Sequence, residues 1–218
     1  LSVYKEELAA FAVIVTTLQF LSGFVVMNDV RKAGSSEKIS LIPFLGGLVL
    51  TVASLKYGFM INDAATIKVN IIGFMLNVIY VCFFYLYTPN EKKTEVWGKI
   101  GLAGLASAAC VLYGDYEDPN LVRTRYGTLI TVMLISLVAS PFLALGHVIR
   151  TKSTEALPFP IIASGTAVSL AWTLYGLSIG NSVLIVQNLI LLGIAAAQLS
   201  LFVIYPSKSP HDGLKKKQ

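Results

Sequence analysis

The sequence predicts an all-α transmembrane protein of seven helices, built as two parallel three-helix repeats joined by a single linker helix (3+1+3). Three observations predict it. First, 55% of the 218 residues are hydrophobic, 13% are charged, and the mean hydropathy is +0.71. A soluble domain of this size cannot bury so much apolar surface and keep a polar coat. Second, the apolar residues fall in runs of about 20, the length a helix needs to cross the hydrocarbon core. Third, the chain matches itself when slid by 118 residues, so that Tyr57-Gly58 falls on Tyr175-Gly176 (175 − 57 = 118).

The spans are expected at about 8–28, 40–60, 67–88, 97–113, 126–149, 157–179 and 182–205, each of roughly membrane-crossing length. Polar segments separate them: Arg31 to Lys38, Pro89 to Lys93, Asp115 to Asn120, and Arg150 to Ser153. The fourth span is the shortest and the richest in small residues (Gly101, Ala103, Gly104, Ala106, Ser107, Ala108, Ala109). These boundaries give a first repeat over 1–88, a loop and linker helix over 89–125, a second repeat over 126–206, and a basic tail over 207–218. Near the start, Lys5 is outweighed by Glu6 and Glu7. The first apolar run is therefore expected to remain as a span, not to be cleaved as a signal peptide.

The charges set the expected orientation. Of 17 Lys and Arg, twelve fall on one side: Arg31, Lys32, Lys38, Lys92, Lys93, Lys99, Arg150, Lys152, Lys208, Lys215, Lys216 and Lys217. The positive-inside rule makes that side cytosolic, leaving the N-terminus outside and the C-terminus in the cytosol. The net charge of +5 thus sits in short loops and a tail, the pattern of a topology signal and not of a nucleic-acid surface. Membrane lipid is the expected solvent. Cys82 and Cys110 lie inside apolar runs without metal-ligand spacing and read as packing residues. Neither a metal nor a cofactor is expected.

The register of 118 also pairs Ser22 with Ser140, Phe24 with Phe142, Val30 with Val148, Ser35 with Ser153, Glu37 with Glu155, Asn70 with Asn188 and Tyr87 with Tyr205. A single helix between two three-helix units turns the second unit over, so both units take the same orientation. Transporters built on parallel repeats hold their substrate near mid-membrane where the repeats meet.

Several of these residues carry a family resemblance. Ala139-Ser140-Pro141, Val148 to Glu155, Leu157-Pro158-Phe159, Trp172, Tyr175-Gly176 and Asn188 make the second unit similar to the SWEET family of sugar transporters. Leu21-Ser22, Pro43-Phe44, Tyr57-Gly58 and Val69-Asn70 do the same for the first. The likeness runs over roughly residues 8–206, and the family is itself an instance of the parallel-repeat plan. It implies passive, bidirectional carriage of a mono- or disaccharide by alternating access, without covalent chemistry. The plasma membrane is the expected location, with the Golgi or another endomembrane as the alternative. Homo-oligomers would be in keeping with the family, although nothing in the sequence specifies one.

Site residues follow from the resemblance and from elementary chemistry together. Asn70 and Asn188 occupy equivalent places, and a carboxamide offers both a donor and an acceptor to a sugar hydroxyl. The competing structural reading is an Asn–Asn bond between helices. Trp172 would stack an indole face on a pyranose ring, against the alternative of an interfacial belt tryptophan. Ser54, its repeat counterpart, is a small polar pocket residue, and Ala144 resembles a size-selective position. The family places one proline in each of spans one, two, five and six near the inner gate. Pro43, Pro141 and Pro158 match, but Gly23 stands at the first-span position. Glycine also loosens a helix, so the hinge is expected to survive. In the family the first-unit tyrosine, here Tyr57, reaches toward an acid near the start of span seven; the residue there is Asn181, which predicts a neutral outer gate. Tyr175 is its counterpart in the second unit. Lys56 is expected to snorkel to the headgroups, and Asp29 and His147 to lie at the membrane surface.

The composition excludes other classes. Neither a nucleophile–base pair nor paired carboxylates lie at depth, as an intramembrane enzyme would need. Span seven has no lysine for retinal, and a seven-helix receptor would not repeat at 118. A PQ-loop-type transporter of another small solute, such as an amino acid, is the nearest alternative, yet the chain has no Pro-Gln dipeptide. With no Asp, Glu, Lys, Arg or His deep in a span, obligatory ion coupling is disfavoured.

Overall fold

The computed structural model describes residues 1–138, 148–150, 152–154 and 159–205. These residues are helical throughout their length apart from short connections, with no strand among them. The helices are α1 (Lys5–Leu21), α2 (Gly23–Ala33), α3 (Ile42–Met60), α4 (Ala64–Leu86), α5 (Lys93–Tyr116), α6 (Val122–Val138), α7 (Phe159–Ile179) and α8 (Ser182–Ile204). The first span consists of α1 and α2, interrupted at Ser22. Pro141, Ala144, His147, Pro158 and the basic tail lie outside the described residues.

The bundle is turned inside out relative to a soluble protein. Val203, Leu105 and Leu18 are 85%, 71% and 62% exposed. Among the described residues, six helical stretches are long and apolar enough to cross a membrane. The chain is a multi-pass integral membrane protein, and these exposed side chains face lipid. The fourth span is longer than its apolar run. α5 has 24 residues, starting at Lys93, where Glu95 and Lys99 pair at 2.6 Å across one turn. At its other end Asp115 takes an ion pair from Lys56 of α3. Lys56 is therefore held by the linker helix, a partner that the snorkelling expectation did not include. Beyond α5, Glu117 accepts hydrogen bonds from Arg125 and from the backbone of Asp118, each at 3.0 Å. The Tyr113 hydroxyl, Asp118 and Arg125 together hold its carboxyl below the usual range.

Two three-helix units flank α5, giving the 3+1+3 plan. In the first unit α4 packs against both α1 and α3; in the second, α8 packs against both α6 and α7. The units meet along two seams, α1 with α7 and α3 with α6, which the repeat makes equivalent. Backbone geometry repeats with the same register. The positive-φ residues among those described are Gly34 (68°), Lys152 (51°), Asn62 (51°) and Gly180 (67°). They form two pairs 118 apart (152 − 34 and 180 − 62).

Membrane faces are named here by the chain: α1 begins at the N-terminal face, and α2 ends at the opposite face. At the opposite face the two inter-helix loops are tied alike. Ser36 N–H donates to the carbonyl of Tyr87 at 3.1 Å, and the Thr154 hydroxyl donates to the carbonyl of Tyr205 at 3.1 Å. At the N-terminal face, buried clusters join the two units. Ala12, Ala65 and Val69 pack with Ala171, Trp172, Tyr175 and Leu184. Ala53 and Tyr57 pack with Val122, Tyr126 and Ile130. Among the described residues nearer the opposite face, the clusters stay within one unit or add the linker helix. One joins Leu41, Leu45, Val81 and Phe84 to Val96 and Ala103; the other comprises Val148, Ile162 and Leu201.

Candidate functional site

The loop after Tyr-Gly builds the N-terminal face of the site, and it is made the same way twice. In the first unit Asp63 N–H returns to the carbonyl of Gly58 at 3.0 Å, and in the second Asn181 N–H returns to that of Gly176 at 3.0 Å. The residue before each, Asn62 or Gly180, takes the left-handed conformation that such a return demands. Each loop then caps the next helix. The Asp63 carboxylate accepts from Thr66 N–H at 2.8 Å, and the Asn181 side-chain oxygen accepts from Leu184 N–H at 3.1 Å. The glycines admit the neighbouring helix. A Cβ on Gly58 would lie 3.0 Å from the Ile67 side chain, and one on Gly176 would lie 3.2 Å from Ile185.

From these loops the two units reach across to one another in a crossed pair. The Tyr57 hydroxyl of the first unit lies 3.4 Å from both the oxygen and the nitrogen of the Asn181 carboxamide. The Tyr175 hydroxyl of the second unit donates to the Asp63 carboxylate of the first. Tyr57, Tyr175 and Asp63 are buried, and both contacts lie at the N-terminal face. The Tyr57–Asn181 contact is one between neutral groups. The Tyr175–Asp63 contact was missed, although its signal was there: Asp63 is the residue that the register of 118 places on Asn181. The acid of the crossed pair thus sits opposite Tyr175 and not opposite Tyr57.

Two turns deeper are the paired asparagines. Asn70 and Asn188 each lie seven positions past their caps, about 10 Å along the helix. Each donates one amide hydrogen to the carbonyl four residues back, Asn70 to Thr66 and Asn188 to Leu184, both at 2.8 Å. No hydrogen bond joins them to each other in this structure. Both residues are buried, and each carboxamide makes this one hydrogen bond among the described residues, which leaves its oxygen and second N–H available. A polar group left half-satisfied at this depth is costly unless something else occupies it.

Trp172 is buried in the cluster that contains Val69, the neighbour of Asn70 in the chain, and Leu184. Its indole N–H donates to the Thr16 hydroxyl at 2.8 Å across the α1–α7 seam, and its ring meets Tyr175 edge-on at 5.7 Å. The belt reading fails, because the ring is enclosed. In this arrangement the N–H bonds protein and leaves the ring face as the part that could meet a ligand. Ser54 is half-buried on α3, one residue past the fully buried Ala53. Pro43 sits in the first turn of α3, where its missing N–H costs no helical bond. Gly23 begins α2, directly after the break at Ser22. Among the described residues no group of His, Cys, Asp or Glu could hold a metal ion.

Comparison with known proteins places this geometry. A family described as sugar efflux transporters for intercellular exchange (MtN3/saliva) matches twice, over residues 6–92 and 124–210. The sugar transporter SWEET1 of Drosophila pseudoobscura pseudoobscura is 34% identical over 209 residues, covering 95% of this chain and 92% of that one. The human protein of the same name is 27% identical over 210 residues, with 94% and 93% covered. A solved eukaryotic SWEET transporter superposes with a TM-score of 0.84 at 27% identity, covering 95% of this chain and 99% of that chain. The chain belongs to the SWEET family of sugar transporters.

Proposed function

We propose that the protein carries a mono- or disaccharide passively and in both directions, by alternating access of its two three-helix units around Asn70 and Asn188. The observation that carries this reading is the pair of half-committed carboxamides in equivalent positions, directly beneath the crossed tyrosine contacts. Each asparagine is anchored by one back-bond and keeps a donor and an acceptor for a sugar hydroxyl, which needs both. Trp172 supplies a ring face for the apolar side of a pyranose, and Ser54 a small polar wall. Ala144 enters from the sequence alone as the size-selective position. The names of the similar proteins, which describe sugar transport, support the substrate class.

Tyr57 with Asn181 and Tyr175 with Asp63 act as the outer gate, closed in this conformation. Opening it breaks a neutral contact on one side and a contact to a carboxylate on the other. Gly23, Pro43, Pro141 and Pro158 serve the hinges of the inner gate, the last two assigned from the sequence. The N-terminal face is outside. The basic residues at the opposite face, including Arg31, Lys32, Lys92, Lys93 and Arg150, support that orientation through the positive-inside rule. The plasma membrane is the proposed location.

Uptake of radiolabelled glucose and sucrose into liposomes, with no ion gradient imposed, tests the reading. Wild type is expected to equilibrate at least one of them, and Asn188→Ala to lose uptake while remaining folded. No flux of any sugar by folded wild type would move the protein to another small solute on the same scaffold.

A further inference from the structure

We propose that Tyr80 is a positioning residue for transport, setting the bend of the first span through its ring and its hydroxyl; the inference rests on the transport reading above. The bend is assigned to the interruption at Ser22, where α1 gives way to α2. There the helical ladder changes. Ser22 N–H returns to the carbonyl of Gln19 at 3.1 Å, and Val25 N–H to that of Ser22 at 3.0 Å, each three residues back instead of four. In a membrane, backbone groups loosened by a kink must find partners within the protein. Tyr80, on α4, provides one. Its hydroxyl donates to the carbonyl of Phe20 at 2.9 Å.

The ring fixes the bend from the other side. A Cβ on Gly23 would lie 2.4 Å from Cε2 and 2.6 Å from Cζ of Tyr80, so the ring occupies the space a side chain would need. Phe24 of α2 meets that ring edge-on at 5.3 Å, and Phe44 of α3 meets it at 5.6 Å. Tyr80 is 3% exposed. One side chain of the third span thus touches both other spans of the first unit.

In the repeat register both positions of the Gly23–Tyr80 pair differ between the units. The register of 118 places Gln198 on Tyr80 and Pro141 on Gly23. The second unit has a proline with a glutamine, and the first has a glycine with a tyrosine. Gly23 is therefore more than a loosened proline. It is the seat of the Tyr80 ring, and a proline ring there would enter the same space. The expectation that Gly23 only needs flexibility gives way to a steric requirement.

The test is a spin-label distance between Lys32→Cys, at the end of α2, and Leu86→Cys, at the end of α4, in full chain lacking Cys82 and Cys110. It is measured beside glucose flux in the same liposomes. Tyr80→Phe keeps the ring and removes the donor. It is expected to displace or broaden the distance distribution and to change the ratio of exchange to net flux about three- to tenfold, the factor one hydrogen bond sets in a two-state equilibrium. Gly23→Ala is expected to displace the distance further, and Gly23→Ala with Tyr80→Leu to remove that extra displacement without restoring the wild-type distribution, since the obstructing ring is gone but the bond to Phe20 is still missing. A Tyr80→Phe distance and flux ratio that coincide with wild type would overturn the proposal, as would a Gly23→Ala protein that bends normally. A wild type that moves no glucose, yet shows the Tyr80-dependent distance, would remove the transport reading and leave the bend assignment standing.

Discussion

At the residue scale the chemistry rests on side chains whose hydrogen-bonding capacity is only partly used. Asn70 and Asn188 each satisfy one N–H locally, so replacing either by alanine would remove the proposed ligand contacts without orphaning a partner elsewhere. Asn70→Ala and Asn188→Ala are each expected to lower the affinity for sugar about tenfold or more, with little change in thermal stability, as loss of one or two hydrogen bonds to the ligand implies. Binding isotherms on purified variants beside their melting curves check this. The two halves of the crossed pair should differ. Tyr175 donates to a carboxylate, whereas Tyr57 faces a neutral amide at 3.4 Å. Hydrogen bonds to charged groups are about twice as strong. Tyr175→Phe is therefore expected to loosen closure at the N-terminal face more than Tyr57→Phe. The labelling rate of a cysteine placed at Thr51 by a reagent confined to that face reports the difference.

Elements show how much of the fold the sequence discloses, and where it falls short. Tyr-Gly and Asn were legible as repeat marks because they are uncommon in apolar spans and recur in register. Their structural cause became visible only in the loop, where Gly58 and Gly176 admit the next helix and Asp63 and Asn181 cap it. Asp63 escaped notice because it differs from its counterpart, and identity was the signal being followed. The extent of α5 was underestimated because hydropathy ends at the membrane boundary, whereas the helix continues through Lys93, Glu95 and Lys99 and through Asp115. The Trp172 bond to Thr16 joins residues 156 apart, a contact no local pattern encodes. The repeated turns carry a prediction of their own. Lys152 takes φ 51° where its counterpart is Gly34, a conformation that costs a side-chain-bearing residue roughly 1 kcal/mol. Lys152→Gly should relieve that cost, with part of the gain offset by glycine's greater unfolded-state entropy, and Gly34→Lys should destabilise by about 1 kcal/mol. Paired melting curves in detergent should rank the two variants in that order.

For the whole molecule, the distribution of packing matters most. Near the N-terminal face two buried clusters join the units. Toward the opposite face, the described clusters belong to one unit or to one unit and α5. Alternating access needs this division, since contacts between units must be made and broken while those within a unit persist. α5 is bound to α3 through Lys56 and Asp115 and lies against the first unit. Breaking that ion pair with Lys56→Met is expected to leave sugar affinity unchanged while lowering expression or stability modestly, in line with the small worth of a partly exposed pair. A change in affinity instead would place the linker helix in the transport path.

The most direct test of passive alternating access is counterflow. Liposomes holding wild-type protein are loaded with unlabelled sugar and diluted into a trace of the labelled sugar, with protonophore and potassium ionophore present. A carrier that exposes one site alternately to each face will accumulate label transiently above its outside concentration and then lose it as the gradients decay. The proposed mechanism predicts that overshoot, unaffected by the ionophores and absent in Asn188→Ala. Label that only equilibrates without overshoot, or an overshoot that collapses when the proton gradient is removed, would contradict it.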